Sequence, residues 1–145
     1  MLRGVRPSTV DIDLTWQADP KHREEFVAAL RELTEELQTN VEEVSPAEFI
    51  PLPEGADGRA VFVGRYGELE VYHFDPYSVA LSKIERGTEK DFDDVAALVK
   101  DGMVDRARLK SAFDEVMKRY GRESLRQDPA RFRRNFAELL RRLAI

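Results

Sequence analysis

The chain contains no cysteine and only two histidines, His22 and His73. The lack of cysteine excludes a disulfide framework, a thiol nucleophile and cysteine-ligated zinc, and two imidazoles are too few for a multi-histidine metal centre within one chain. No apolar run approaches the ~20 residues of a membrane-spanning helix, and the first residues have no apolar region typical of a signal peptide. These absences predict a cytoplasmic protein without a membrane partner.

Charge is distributed unevenly along the 145 residues. Residues 1–102 carry 11 Lys and Arg against 22 Asp and Glu, whereas residues 103–145 carry 12 against 6. An acidic first part followed by a basic tail suits metal-dependent chemistry on a polyanion. In the alternative interpretation, the basic tail folds against the acidic part or keeps its own helices soluble, and the sequence favours neither.

Apolar periodicity and capping signals predict a strand and a helix, then short strands, a hairpin and four helices. Asp19-Pro20 is typical of a helix start, and Thr88 with an acid three residues later is typical of a capping box. The predicted strands cover about 9–16, 41–44, 49–52, 60–63 and 69–74, and the predicted helices about 20–38, 76–86, 88–101, 105–120 and 129–143. This order predicts an α+β fold, with a small mixed β-sheet core in residues 1–75 and a helical region in residues 76–145.

Two aspartates, Asp11 and Asp13, alternate with apolar residues in the first predicted strand. Successive side chains of a strand point to opposite faces, so both carboxylates share one face and Val10, Ile12 and Leu14 share the other. Two acids this close repel each other by about a kcal/mol or more in a dry environment, and a bound hard cation such as Mg²⁺ relieves that repulsion. The alternative is an edge strand with a solvated acidic face.

A third carboxylate is available on the second strand of the predicted hairpin. Glu68, Glu70 and Tyr72 share one face of that strand, and either glutamate can join Asp11 and Asp13 if the strands are neighbours. Carboxylates converging from two strands hold one or two Mg²⁺ ions and polarise an attacking hydroxyl, which is the metal-ion route to phosphoryl transfer. A glutamate that is merely solvated on an exposed strand is the alternative.

Four charged residues repeat a three-residue spacing on two successive predicted helices. Lys83 and Arg86 are neighbours on the first of these helices, and Asp91 and Asp94 are neighbours at the start of the second. The two cations are suited to neutralising a triphosphate beside a metal site. In the alternative, they pair with the two aspartates, or all four residues line solvated helix faces.

Two segments carry a resemblance to a known family: residues 6–14, Arg-Pro-Ser-Thr-Val-Asp-Ile-Asp-Leu, and residues 69–95, which include the four charged residues above. Together they resemble the nucleotidyltransferase-like proteins of the DNA polymerase beta superfamily, nearest to the AbiE-type toxin nucleotidyltransferases and their uncharacterised relatives. The resemblance covers residues 5–100. It implies transfer of a nucleoside monophosphate from a nucleoside triphosphate to an RNA or protein acceptor, dependent on Mg²⁺ (or Mn²⁺).

The resemblance also implies a role for each acid. Asp11 and Asp13 would be the metal ligands. Glu70 would be the third carboxylate, which also binds metal and which aligns and activates the acceptor hydroxyl. In the family this third residue is usually aspartate, and the extra methylene of Glu70 makes the geometry looser. Asp91 and Asp94 match helix acids that organise the motif.

Binding of the triphosphate is expected to involve further residues. Lys83 matches the family lysine that contacts the triphosphate, and Arg6, Ser8 and Arg86 are candidate phosphate contacts. For Arg6 and Ser8, a simple turn is the alternative. The family has a helix with a Gly-Gly or Gly-Ser element before the D-x-D strand, whose N–H groups hold the phosphates. Only Gly4 stands there in this sequence, so we expect that helix to be missing from the chain.

Three classes of function follow from these observations. The first is an active nucleotidyltransferase, toxin-like in the sense of the resemblance, whose basic tail 103–145 docks an RNA acceptor. Its phosphate-binding helix would be encoded upstream of this start or supplied by another subunit. The second is a non-catalytic nucleotidyltransferase-fold binding module, or a subunit of a two-component, toxin–antitoxin-like system. The third, a D-x-D glycosyltransferase, is disfavoured because such enzymes place a long nucleotide-binding region ahead of the motif.

Overall fold

The computed structural model describes residues 11–122 and 126–144, apart from the side chain of Asp11. Contacts between residues divide this part of the chain into a first unit, residues 11–45, and a second unit, residues 46–144. The sequence suggests a different boundary, at residue 75, between a strand-rich and a helix-rich region. That domain boundary stays a prediction.

The first unit is a single β–α–β element. Strand β1 (Asp11–Leu14) pairs in parallel with β2 (Asn40–Glu43), and helix α1 (Arg23–Leu37) connects them. Parallel strands need such a crossover connection because a tight turn cannot join them. No residue of α1 is buried, although the Trp16 ring packs 5.5 Å from the Phe26 ring.

The predicted start of α1 at Asp19-Pro20 is wrong. The helix begins at Arg23, and His22 occupies the N-cap without a side-chain hydrogen bond to the helix. The Asp19 carboxylate accepts a hydrogen bond from the backbone N–H of Lys21 at 3.3 Å. The backbone carbonyl of Asp19 accepts one from the N–H of His22 at 2.8 Å. Asp19 therefore closes a turn ahead of the helix and does not cap the helix itself, because an Asp side chain can satisfy either arrangement.

The second unit contains a β-hairpin followed by four helices. The hairpin strands are β3 (Val61–Tyr66) and β4 (Leu69–His73), which pair antiparallel. The helices are α2 (Pro76–Arg86), α3 (Glu89–Lys100), α4 (Arg106–Met117) and α5 (Pro129–Leu143). The α+β class is confirmed, and the strands of the described residues form two two-stranded sheets, one parallel and one antiparallel.

The strand predicted at 49–52 is wrong. Pro46–Glu48 forms a turn of 3₁₀ helix, and Ile50 is buried among the helices without a strand partner. Pro51 and Pro53 lack the N–H groups that a sheet ladder needs. The apolar residues of this segment therefore contribute to the helical core and do not extend a sheet.

Each of the four helices begins at a residue whose side chain caps it, and the helices pack around a common core. Asp75, Thr88, Asp105 and Asp128 each accept backbone N–H groups at the start of α2, α3, α4 and α5, and Thr88 and Asp91 form the predicted capping box. Such caps satisfy N–H groups that the first helical turn leaves without partners. The buried core of the second unit includes aromatic rings from α4 and α5, with Phe113 stacked on Phe136 at 4.0 Å.

Acid is expected to destabilise the second unit through Asp75. Burial of this carboxyl opposes its ionisation, but hydrogen bonds from Arg59, Ser78 and Tyr77 outweigh burial and hold its pKa below the usual value of 3.8. A carboxyl whose pKa is lower in the folded state stabilises the fold above its unfolded pKa, and that contribution is lost as the pH falls through the folded pKa.

Urea unfolding of the wild type should therefore give a lower free energy of unfolding at pH 3 than at pH 7. Asp75→Asn should be less stable at pH 7 and should lose less between the two pH values. Equal losses in the wild type and the variant would contradict the role of Asp75.

Candidate metal and nucleotide site

Strand β1 presents Asp13 to solvent. Ile12 and Leu14 are half-buried and Asp13 is exposed, so the predicted alternation holds over these three residues. Asp11 is the first residue of the same strand, and its side chain lies outside the described part of the chain. Within the described residues, Asp13 has no ion-pair partner, which leaves its carboxylate available to a cation.

The parallel pairing of β1 and β2 brings a second acid next to Asp13. Asp13 is in register with Glu42, and Asp11 is in register with Asn40. Residues in register on neighbouring strands have side chains on the same face. Glu42 is exposed, so its carboxylate and that of Asp13 share an exposed face of this sheet. Sequence reasoning missed Glu42, although the same two-residue alternation in Asn40-Val41-Glu42 was a usable signal.

The donor set of this face suits a hard divalent cation. Mg²⁺ takes oxygen ligands and is usually held by one or two carboxylates together with substrate phosphates. Among the side chains that the structure describes, no three His, Asp or Glu residues are grouped closely enough to hold a metal. Asp11 is not among those side chains, so the predicted pair of metal ligands, Asp11 and Asp13, stays a prediction.

Glu70 lies on the hairpin of the second unit. It is exposed on β4, opposite Arg65 of β3, and its carboxylate accepts the Tyr72 hydroxyl at 3.0 Å. This hydrogen bond raises the pKa of Tyr72. The bond also confirms that residues 70 and 72 share one face. Because Asp11 and Asp13 belong to the first unit, convergence of the three acids stays a prediction.

Lys83 and Arg86 are engaged in ion pairs with the next helix. The Lys83 ammonium lies 2.8 Å from an Asp94 oxygen and 3.6 Å from an Asp91 oxygen, and the Arg86 guanidinium lies 2.7 Å from Asp91. The side chain of Lys83 is 17% exposed, and those of Asp91 and Asp94 are 7% and 6% exposed. Ion pairing with the aspartates, which the sequence left open, is thus observed, and it joins α2 to α3.

Contacts of these two cations with a triphosphate remain a prediction. Their charges are matched by those of the two aspartates, so the cluster of four has no net positive charge to offer a phosphate. Arg6 and Ser8, the other predicted phosphate contacts, lie outside the described residues.

A buried polar cluster that the sequence did not reveal joins α2 to the turn after α4 and to α5. The Glu85 carboxylate is buried and accepts the Tyr120 hydroxyl at 3.1 Å and the Arg131 guanidinium at 2.5 Å. Burial, followed by the neighbouring Glu85 charge, raises the pKa of Tyr120 to about 12. Arg131 therefore has a structural partner. No spacing signal could reveal this, because Tyr120 and Arg131 lie 35 and 46 positions after Glu85 in the sequence.

Comparison with known proteins gives one family match. No curated protein and no solved structure matches the chain significantly. A family model described as "Nucleotidyltransferase of unknown function (DUF6036)" matches residues 1–143. No helix in the described part of the chain combines the length and the apolar character needed to cross a bilayer. Since the family model covers nearly the whole sequence, the chain belongs to the DUF6036 family of nucleotidyltransferases of unknown function.

Proposed function

We propose that this protein is a Mg²⁺-dependent nucleotidyltransferase, with Mn²⁺ as a substitute, which transfers a nucleoside monophosphate to a hydroxyl of an RNA or protein acceptor. The observation that carries this proposal is β1, where Asp13 is exposed between half-buried apolar residues in a chain of a nucleotidyltransferase family. A toxin-like role, of the kind the AbiE-type resemblance implies, and a cytoplasmic location belong to the same proposal.

The reaction breaks the bond between the α- and β-phosphates and forms a bond from the α-phosphorus to the acceptor oxygen. Pyrophosphate leaves, and the acceptor hydroxyl loses a proton. In the proposal, Asp11 and Asp13 hold the cation, and Glu70 orients the acceptor hydroxyl and accepts its proton. A bound divalent cation would neutralise the charge of the triphosphate and of the transition state. Positioning and charge neutralisation account for most of the catalysis in phosphoryl transfer.

A non-catalytic binding module, or a subunit of a two-component system, is the second candidate function. It is favoured by the ion pairs of Lys83 and Arg86, because the cations that the resemblance assigns to phosphate binding are already matched by Asp91 and Asp94. In such a system, a partner subunit supplies the phosphate contacts. The exposed carboxylate of Asp13 favours the catalytic candidate. It has no ion-pair partner among the described residues, so no structural role explains it.

Nucleotide and metal together are expected to stabilise the protein. A ligand that binds only the folded state raises the free energy of unfolding, by about 1.4 kcal/mol at ten times its Kd. Adding Mg²⁺ or Mn²⁺ with a nucleoside triphosphate should therefore raise the melting temperature by a few degrees, measured by differential scanning fluorimetry. The double variant Asp11→Asn/Asp13→Asn should lose that shift.

A matched control removes the same charge elsewhere in the first unit. Glu35 and Glu36 are exposed on α1, and Glu35→Gln/Glu36→Gln should keep the full shift. If the two double variants respond alike, Asp11 and Asp13 do not form the metal site.

A further inference from the structure

Half of the basic residues in the C-terminal segment 103–145 form no ion pair with a described acidic residue. Lys110, Arg119, Arg131, Arg141 and Arg142 form ion pairs with carboxylates of the described chain. The remaining described cations without an ion pair are exposed: Arg106, Arg108, Lys118, Arg122, Arg133 and Arg134. A cation without an intramolecular partner is available to an anion from outside. Part of the excess of 12 basic over 6 acidic residues is thus not neutralised by ion pairs among the described residues.

Two of these cations, Arg133 and Arg134, lie on the solvent face of α5. The buried side chains of α5 are Phe132, Phe136 and Leu139, which define the face that packs into the core. Residues 130, 133, 134, 137 and 141 are all exposed and follow the spacing of a single helical stripe. Its cations are Arg133, Arg134 and Arg141, of which Arg141 also pairs with Glu138 but keeps a side chain that is 76% exposed, and its other members are alanines. We call it, together with Arg122, the arginine stripe.

A further exposed cation without an ion pair among the described residues, Arg122, follows a residue that packs against the start of α5. Gly121 precedes it with a φ of 85°, and a Cβ added at Gly121 would lie 2.9 Å from Pro129 Cγ, so the backbone at 121 packs directly against the start of α5. The Gly121 N–H also donates to the Gln127 side chain at 2.7 Å. These contacts place the backbone of Gly121, the residue before Arg122, against the start of α5.

The chemistry of the arginine stripe suits binding to the phosphate backbone of a nucleic acid. Arginine offers a planar group of donors that binds phosphate oxygens in pairs, and it stays charged at all relevant pH values. A membrane-binding amphipathic helix exposes large apolar residues beside its cations. The exposed apolar residues of this stripe are the small Ala130 and Ala137, so a membrane is disfavoured as the partner. An α-helix rises 1.5 Å per residue, so Arg134 and Arg141 are about 10 Å apart along the axis and can engage separate phosphates.

We propose that the arginine stripe is a docking surface for single-stranded RNA, and that this RNA is the acceptor of nucleotidyl transfer. The inference rests on the proposed function for the role of the RNA, but the binding itself needs neither metal nor nucleotide. Phosphate contacts release counterions, so affinity must fall as salt rises. Arg131, by contrast, is held by Glu85 and belongs to the fold and not to the stripe.

The test compares two triple variants with the same change in charge. Arg122→Gln/Arg133→Gln/Arg134→Gln removes free cations of the stripe. Lys90→Gln/Lys100→Gln/Arg106→Gln removes three exposed cations from α3 and the start of α4 that also have no ion pair with a described residue. Both variants alter only exposed side chains and should melt close to the wild type.

Fluorescence anisotropy with a labelled single-stranded RNA should separate the two variants. The stripe variant should bind at least about tenfold more weakly at 50 mM salt, and its slope of log K against log salt should fall by about 2, as expected for three lost contacts to a single strand. The control variant should stay within about threefold of the wild type. Equal losses in both variants, or no RNA binding by the wild type at low salt, would overturn the proposal.

Further arms separate this inference from the proposed function. Asp11→Asn/Asp13→Asn should bind RNA as the wild type does. Loss of RNA binding with a retained thermal shift by metal and nucleotide refutes only the stripe, whereas retained RNA binding without any shift refutes only the proposed metal site. Competition by single-stranded DNA or by polyglutamate as effective as competition by RNA would also overturn the assignment of RNA as the partner.

Discussion

Replacing Lys83 with methionine is expected to destabilise the protein by about 2–4 kcal/mol. The Lys83 ammonium is held between Asp91 and Asp94, and all three side chains are largely buried. Removing one partner of a buried ion pair costs about 3–5 kcal/mol because it leaves a charge without compensation. We expect a somewhat smaller loss because Lys83 is partly exposed, because Arg86 still pairs with Asp91, and because Asp94 keeps a further interaction. Urea denaturation followed by circular dichroism measures this change.

Lys90→Met is the matched control for this prediction. Lys90 is exposed near the start of α3 and has no ion pair among the described residues, so its replacement should change the free energy of unfolding by less than about 0.5 kcal/mol. A similarly small effect of Lys83→Met would mean that its ion pairs contribute little to the fold. Lys83 would then be free for the contact with triphosphate that the family resemblance implies.

Asp13→Asn is expected to reduce nucleotidyl transfer by at least about a hundredfold. The variant keeps the size of the side chain but removes the charge that a divalent cation requires, and a metal ion supplies several kcal/mol of transition-state stabilisation. Asp13 is exposed, so the fold and the melting temperature without ligand should stay unchanged. The rate of incorporation of α-labelled nucleotide into the acceptor measures the effect.

Glu70 and its alternative, Glu42, decide which residue is the third carboxylate. Glu70→Gln should lose activity by a similar factor if Glu70 activates the acceptor hydroxyl. Glu42→Gln should keep activity within a few-fold of the wild type, although Glu42 is the residue in register with Asp13. Loss of activity in Glu42→Gln with retained activity in Glu70→Gln would identify Glu42 as the third carboxylate. All three carboxylates would then lie on β1 and β2.

The features that the sequence predicted well are those with local causes. The hairpin around Tyr66-Gly67, the proline-led starts of α2 and α5, and the capping box at Thr88 each depend on residues within a few positions of one another. The possible pairing of Lys83 with Asp94 was also foreseeable, because both residues lie close to the turn between two successive helices.

The features that the sequence did not predict depend on distant contacts or on competing local signals. The register of β1 with β2, which brings Glu42 beside Asp13, is set across the whole of α1. The pairing of Glu85 with Arg131 bridges two helices that are far apart in the sequence. Asp19-Pro20 failed as a helix start because an Asp side chain also stabilises an isolated turn.

The most direct test of the central claim is a transfer assay that distinguishes the phosphates of the donor. The purified protein, alone and together with proteins that co-purify with it from its source cells, is incubated with Mg²⁺ or Mn²⁺, cellular RNA or protein, and each common nucleoside triphosphate labelled at the α- or the γ-phosphate. The account predicts acceptor that carries the α-label together with an equal amount of released pyrophosphate, and neither product with Asp11→Asn/Asp13→Asn. Transfer of the γ-label, or no transfer from any triphosphate with either metal, would contradict it.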